Sequence, residues 1–377
     1  PSVAEKNDTR ERAEGRSIAA STAPTEDMFA VTLISGYIVT SVILFKYPCL
    51  LHRRKQLKFP CRHISHRGGS AENLENTLTA FRHAQKAGTD LLELDVQLTK
   101  DKKVVVSHDN TLLRSAGVDK LISDLAYTEI PPLKSSLPVD FWNGQPCPES
   151  KDRRMPLLCE VFAEFPSTPV NIDIKTPNEE LIQEVSFFLH ICPLILNDVT
   201  RGIAYFQVHK LIKQFNREDI TIWGSFHHSV TKRCYELNPR IPLFFSARSL
   251  LYLLILTCTG LLPFFPIKET CLEVLLPHVA TKNPGMRQQT QYLRGMVLLK
   301  LIDWFIVRKF LIDHLRKRGI PTYLWVLNEK EDFQRAFSLG ACGVMTDRPT
   351  LLTEFLQENP DLGTWPNETD ASNQERR

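Results

Sequence analysis

The run "DLLELDVQLTKDKKVVVSHD", residues 90–109, sets Glu93 and Asp95 two residues apart in an otherwise apolar, strand-like segment. Residues i and i+2 of a strand share a face. Two carboxylates on one buried face repel each other and resist the loss of water. "VNIDIK" repeats the pattern with Asp173, and Lys175 follows two residues later on the same face. Three acids converging from two strands make a site for a hard divalent cation, Mg2+ or Ca2+, whose charge removes the repulsion. His66 in "SHRGG" and His108 at the end of "VVVSH" supply imidazoles, suited to giving and taking protons near neutral pH. Arg67 offers a planar fork for phosphate oxygens, and Gly68 and Gly69 beside it let backbone approach closely. The chemistry these residues suit is metal-assisted cleavage of a phosphoester.

Elements that could bring them together are readable in the same way. Strand-like runs alternate with helical patterns, the mark of βα units and a parallel sheet. "RHISHR", "DLLELDVQL", "KVVVSH", "PVNIDIK", "DITIWGSF", "IPLFFS", "PTYLWVLN" and "ACGVMTD" read as strands, with "ENTLTAFRHAQKAG", "PLLCEVFAEFP" and "KEDFQRAFSLG" as helices between them. That series predicts an α/β fold, a TIM (β/α)8 barrel, in which side chains at strand C-termini meet at one mouth. His66 and His108 are both expected at such strand ends. Residues 187–207 carry Pro193 and Gly202 inside what should be one helix, and are expected to be an insertion. Residues 249–312 join the uncharged "SLLYLLILTCTGLLPFFPI" to an amphipathic basic stretch containing Trp304 and Phe305. They are expected to lie on a membrane near the barrel mouth as a hairpin and interfacial helix, with a second crossing or an unusually apolar barrel helix and its loop as the alternatives.

The ends and composition frame this domain. With 377 residues, 43% of them hydrophobic and 24% charged, the chain can build one large core or two. A net charge of +3 without a basic patch interleaved with aromatics argues against nucleic-acid binding. Nine scattered cysteines lack zinc or disulfide spacing and read as buried thiols. Residues 1–27 are polar and of mixed charge, an expected disordered tail, and 358–377 form a second one. Residues 28–46 are an expected transmembrane anchor: Met28–Phe45 is uncharged, and Lys46, Arg53, Arg54, Lys55, Lys58 and Arg62 follow without an acid among them. That flank is basic on the wrong side for a signal peptide. The reading is an integral protein of the endoplasmic reticulum or another intracellular membrane, with the lipid bilayer as partner and no protein partner legible. The side on which the domain lies stays open.

"HRGGSAENLENT", "ELDVQLTKDKKVVVSHD", "NIDIK", "YLWVLN" and "GVMTDRP", in this order across residues 62–357, resemble the glycerophosphodiester phosphodiesterase family. The anchor, "GLLPFFPI" and the ending "GVMTDRP" resemble its membrane-bound branch, which acts as lysophospholipase D. The resemblance implies a phosphodiesterase-type TIM barrel. It implies His66 and His108 as the acid/base pair, and Glu93, Asp95 and Asp173 as ligands of Mg2+ or Ca2+. Arg67 and Lys175 would hold the phosphate and Trp325 would line the pocket. Glu75 and Asn76 would organise the metal site from its edge, and Asp347 would support the mouth. The implied substrate is a membrane lysophospholipid (lysophosphatidylcholine, lysophosphatidylethanolamine or its N-acyl form), split into lysophosphatidic acid and choline, ethanolamine or an N-acylethanolamine. A phosphodiesterase for soluble deacylated diesters, a non-catalytic lipid-binding barrel and an inositol-lipid phospholipase C are the competing readings. The sequence departs from the family pattern in three places: Leu74 stands where Pro is common, Asp173 where many members have Glu, and residues 187–207 are extra.

Overall fold

The computed structural model describes residues 23–59, 61–175, 194–282, 297 and 299–363. Its strands are β1 (His63–Ser65), β2 (Leu91–Leu98), β3 (Val104–Val106), β4 (Val170–Ile174), β5 (Thr221–Gly224), β6 (Leu272–Leu275), β7 (Thr322–Trp325) and β8 (Gly343–Thr346). Seven of them pair in the order β5-β4-β2-β1-β8-β7-β6, and every adjacent pair on this path is parallel. Leu243 bridges to Trp223 and Phe244 to Cys271, both in parallel, which spans the gap between β5 and β6. The barrel expected from the sequence is therefore present, with residues 243–244 in the place of its remaining strand.

Alternation along the strands sorts side chains between the inside and outside of this ring. Leu91 packs with Ile64, Ile222, Phe244, Cys271, Tyr323 and Met345 as an apolar floor. Leu92, Leu94 and Val96 point the other way, into a cluster with Phe81 and Ala84 of α2 (Leu78–Ala87) and Val208 and Ile212 of a later helix. Each such apolar side chain buried contributes about 2 kcal/mol. Glu93 and Asp95 follow Leu91 at i+2 and i+4, so they sit above the floor, towards the strand C-termini. The apolar positions of β2 thus force its two acids inward.

Three sequence expectations need correction. "KVVVSH" forms β3, which pairs antiparallel with β2 and is not a barrel strand. β2 is long enough to pair with β4 up to Val96 and then continue to Leu98, where the chain turns back. The Ser107 N–H donates to the Asp95 carbonyl (2.9 Å), so this hairpin returns His108 to the level of the acids. "IPLFFS" supplies only the bridging pair. β6 was not among the expected strands, because four residues inside the apolar run "CLEVLLP" give little alternation to read.

The segments around the barrel also differ from expectation. α1 (Ala23–Lys46) begins inside the predicted tail, and residues 1–22 lie outside the described region. Among the described residues, Asp27–Lys46 is the one helical stretch long and apolar enough to cross a membrane. After α3 (Leu158–Glu164), α4 (Leu194–Gln214) runs unbroken past Gly202, while residues 187–193 lie outside the described region. A mid-helix glycine costs only about 1 kcal/mol against alanine, which the rest of a 21-residue helix can absorb. α5 (His228–Leu237) and α6 (Ala247–Cys258) follow. The long amphipathic stretch is interrupted: a π-helical turn at Ile302–Ile306 ends in extended backbone at Arg308 before α7 (Lys309–Lys317). α8 (Lys330–Ser338) and α9 (Pro349–Glu358) complete the barrel. Beyond α9, Arg62 Nη1 donates to the carbonyls of Pro360 (2.7 Å) and Leu362 (3.2 Å), so the predicted C-terminal tail is tied down as far as this turn.

At the mouth, Gly69 has φ +95°, and a Cβ there would lie 2.7 Å from two ring carbons of Pro349. Neither the backbone conformation nor the space admits a side chain. Gly69→Ala is expected to lower stability by about 3 kcal/mol, measured as a reduced denaturation midpoint of the full chain. An unchanged midpoint would show that the loop yields freely.

Candidate active site

A cavity of about 830 Å³ at the barrel mouth is lined by His66, Arg67, Glu93, Asp95, His108, Asp173, Lys175 and Trp325, all singled out from the sequence. Glu93 and Asp95 come from within β2, the others from a strand end or the residues just past it, except His108, which the β3 hairpin delivers. Glu75, Asn76 and Asp347 stand behind this wall. β2 and β4 run in register, with Glu93 beside Asn171 and Asp95 beside Asp173.

The acids are held by cations and amides of the chain. Lys175 Nζ lies 2.6 Å from Asp173 Oδ2 and 3.1 Å from Asp95 Oδ1, so it stands between two of the three expected ligands. The backbone N–H of Arg67 donates to Glu93 Oε2 (2.8 Å), and Asn76 Nδ2 donates to Asp95 Oδ2 (3.2 Å). Burial opposes the charge on Asp95, but Lys175, His108 and Arg67 around it hold it well below the usual carboxylate range. Burial and the neighbouring Asp95 push Glu93 up to about 7. Of the two acids, Glu93 is the one that burial and its neighbour's charge push towards the protonated form.

Among the described residues, no three His, Cys, Asp or Glu side chains stand at metal-ligand spacing, so the acids share a cavity without forming a preassembled cage. The donor set still fits a hard divalent cation. Asp173 Oδ1 and Asn171 Oδ1 are buried without a hydrogen-bond partner, and Glu93 is raised by a like charge that a cation would offset.

The histidines are oriented by carboxylates. His66 Nδ1–H donates to Asp347 Oδ1 (2.6 Å), which leaves Nε2 for the cavity. Asp347 also accepts from Ser70 Oγ (2.5 Å) and Asn328 Nδ2 (2.9 Å). Burial disfavours a charged His66, yet Asp347 outweighs it and the net shift is upward. Asp347 is held below its ordinary value despite burial, chiefly by His66. His108 Nδ1–H donates to Asp109 Oδ1 (2.7 Å). Asp109 Oδ2 accepts from Arg114 Nε (2.6 Å), and Arg114 Nη2 reaches Glu75 Oε1 (2.6 Å). Glu75 also receives Arg67 Nη1 (3.2 Å). Glu75 therefore ties the arginines that orient His108 and screen Asp95, rather than facing the acids itself. Arg67 is buried among carboxylates, with Asp140 at 3.3 Å as well as Glu75.

Sequence reasoning missed Asp109, Arg114, Asn171 and Glu273. Glu273 on β6 lines the cavity and accepts from Asn171 Nδ2 (2.9 Å). Burial, with Glu93 and Asp173 nearby, pushes it up to about 8. Its signal is a lone acid in an apolar run, weaker than the i, i+2 pair that marks Glu93 and Asp95.

Two outcomes follow from this wiring. Arg114→Leu takes the shared cation from Glu75 and Asp109, leaving them Arg67 and His108, and is expected to cost about 3 kcal/mol in denaturant unfolding. The raised His66 contributes stability below the ordinary histidine pKa, lost as pH rises through its folded value. The depressed Asp347 contributes above the ordinary carboxylate value, lost as pH falls through its own. Asp347→Asn removes the main cause of the upward shift, so NMR titration should find His66 titrating lower than in the wild type. A His66 that still titrates high would mean another group holds its proton.

Residues 66–351 match the glycerophosphoryl diester phosphodiesterase family. Over 334 residues the chain is 47% identical to the Homo sapiens protein named lysophospholipase D GDPD1, covering 88% of this chain and 98% of that one. It is 37% identical over 331 residues to Homo sapiens lysophospholipase D GDPD3, covering 88% and 96%. Among solved structures, the glycerophosphoryl diester phosphodiesterase domain of a Mycobacterium tuberculosis protein superposes with a TM-score of 0.52 at 12% identity, covering 79% of this chain and 99% of that one. That likeness speaks for the barrel alone. The match across the whole barrel, with paired acids and histidines gathered at its mouth, means that this chain belongs to the glycerophosphoryl diester phosphodiesterase family, whose enzymes are phosphoric diester hydrolases.

Proposed function

We propose that the chain is a membrane-anchored lysophospholipase D that hydrolyses lysoglycerophospholipids to lysophosphatidic acid and the free head-group alcohol. The observation that carries this reading is the two-sided cavity. One wall holds the acids, histidines, Arg67 and Lys175; the other holds Phe226, Phe245, Leu250, Leu254 and Ile302. A soluble deacylated diester needs only the first wall, whereas a single-chain phospholipid uses both. α1 and the names of the two human relatives support the same substrate class.

Glu93, Asp95 and Asp173 would hold the divalent cation, Mg2+ or Ca2+, and divalent-metal dependence is general in the family. When bound, it offsets the acids and draws charge from the phosphoryl group. Arg67 and Lys175 orient the phosphate, and Trp325 with Phe141 (ring centroids 6.1 Å apart, edge to face) walls it from water. His108 takes the proton of the attacking oxygen. His66, oriented by Asp347, gives its proton to the departing alcohol. A free glycerol hydroxyl next to the phosphate is the attacking oxygen: its P–O bond forms as the head-group P–O bond breaks. Water then opens the cyclic phosphate with the two histidines in reversed roles. The hydroxyl is already held on the substrate, so the first step gains from proximity.

Release of choline or ethanolamine from lysophospholipids by the detergent-solubilised chain tests the reading. Turnover is expected with Mg2+ or Ca2+, to vanish with EDTA, and to fall about a thousandfold in His66→Ala. Full turnover in EDTA, or by the His66 variant, would contradict it. Methylating the free glycerol hydroxyl should abolish cleavage, and efficient cleavage of the methylated substrate would replace that hydroxyl with water as the attacking group.

A further inference from the structure

We infer that α6 and the Leu299–Ile302 segment form an acyl-chain slot that opens beside α1, so that the substrate's single fatty chain enters sideways from the bilayer while its phosphate rests on the acid wall. The inference rests on the lysophospholipase reading for the identity of the chain, and on geometry for its place.

Ala247, Leu250, Leu251 and Leu254 of α6 all line the cavity. Their spacing of three, four and seven residues is one stripe of a helix, so α6 turns a continuous apolar face to the site. Leu299 and Ile302 line it too. Exposure varies around this lining: Leu254 is 6% and Ile302 9% exposed, whereas Leu251 is 50% and Phe226, on the loop after β5, 63% exposed. The apolar wall thus reaches the surface instead of being sealed under it. Tyr252 and Ile255 of α6 are exposed, as are Phe265 after the next turn, Trp304 in the π-helical turn and Phe310 in α7, apolar and aromatic residues of the kind that meet a membrane interface.

α1 fixes where that surface lies. Tyr37 Oη donates to the Thr259 carbonyl (2.5 Å), Ser41 Oγ donates to the Gly260 carbonyl (2.6 Å), and the Tyr37 and Phe264 rings stack at 6.1 Å. The His314 ring Nδ1–H donates to the Phe45 carbonyl (2.8 Å) where α1 leaves the span. Tyr37 lies nine residues before Lys46, a rise of about 14 Å along the helix. The turn after α6 is therefore bonded to α1 well inside the stretch that would cross the hydrocarbon. From that turn, α6 leads back to the cavity. A docked anchor of this kind is not a tether: it holds one end of the apolar wall at lipid depth, and a fatty chain moving along α6 need never enter water.

A lysophosphatidylcholine carrying a diazirine at its chain end, photolysed with the full chain in phosphatidylcholine nanodiscs, is the first test. Mass spectrometry should find the label on α6 or residues 299–302. Label confined to α1 or spread over the surface overturns the slot. In parallel, kcat/KM is measured for glycerophosphocholine and for lysophosphatidylcholines of rising chain length. For the wild type it should climb by up to about fourfold per methylene until the slot is full. In Leu251→Glu the ratio of long-chain lysolipid to glycerophosphocholine should drop at least about tenfold, and Leu251→Met should restore it. Where Leu251→Glu does not fold, Phe226→Glu at a more exposed position carries the same comparison. A flat chain-length profile with a scattered label defeats the slot and leaves the phosphodiesterase intact. Label on α6 without turnover of any lysolipid supports the slot and defeats the lysophospholipase reading instead.

Discussion

The structure turns on one electrostatic problem, two carboxylates placed side by side at the mouth of a barrel with an apolar floor beneath them. Glu93 and Asp95 point inward because Leu92, Leu94 and Val96 must point outward beneath the helices. The repulsion is answered by Lys175 across β4, Arg67 from the loop after β1 and the amide of Asn76. Those cations need fixing in turn, which brings in Glu75, Arg114 and Asp109 and, through Asp109, His108. The network that neutralises the acids is thus also the one that aims an imidazole at them. A buried polar cluster of this kind is costly unless every member is partnered, which is why so many residues serve so small a volume.

Much of this was legible in the sequence because strand periodicity and acid placement act at short range. Glu93 and Asp95 at i+2, and Asp173 and Lys175 at i+2, gave the face, and the apolar residues between them gave the direction. What the sequence could not carry was direction of travel. "VVVSH" has the composition of a barrel strand, and only its pairing with β2 shows that it runs backwards and returns His108 to Asp95. Nor could it carry the partner of a side chain from a distant element: Glu75 was expected to organise the metal site from its edge, and only the structure shows Arg67 and Arg114 as the groups it holds. Glu273 escaped because four residues are too few to show alternation, although its isolation in an apolar run was visible. The interruption at Val307–Arg308 was hidden because the apolar spacing on either side continues through it.

The second half of the molecule answers a different constraint, delivery of an apolar chain to a highly charged site. Charged and apolar side chains line one cavity, the acids with their cations on and beside β2 and β4, and the apolar residues Leu250, Leu251 and Leu254 on α6. The anchor, the turn after α6 and α7 are joined by hydrogen bonds and ring contacts. The barrel is thereby set at a fixed tilt to α1. For a proposed enzyme of membrane lipids, orientation of this kind replaces diffusion of the substrate through water.

The central claim is that the buried acids are a divalent-cation site and not only an ion-pair network. Titration of the metal-free full chain with Mn2+, followed by electron paramagnetic resonance of the free ion, reads this without any substrate. One ion bound per chain, with binding lost in Asp173→Asn and in Glu93→Gln but kept in His66→Ala, is the predicted result. Binding that survives both acid substitutions, or no binding to the folded wild type, would contradict it and leave Lys175 and Arg67 as the counter-charges of the acids.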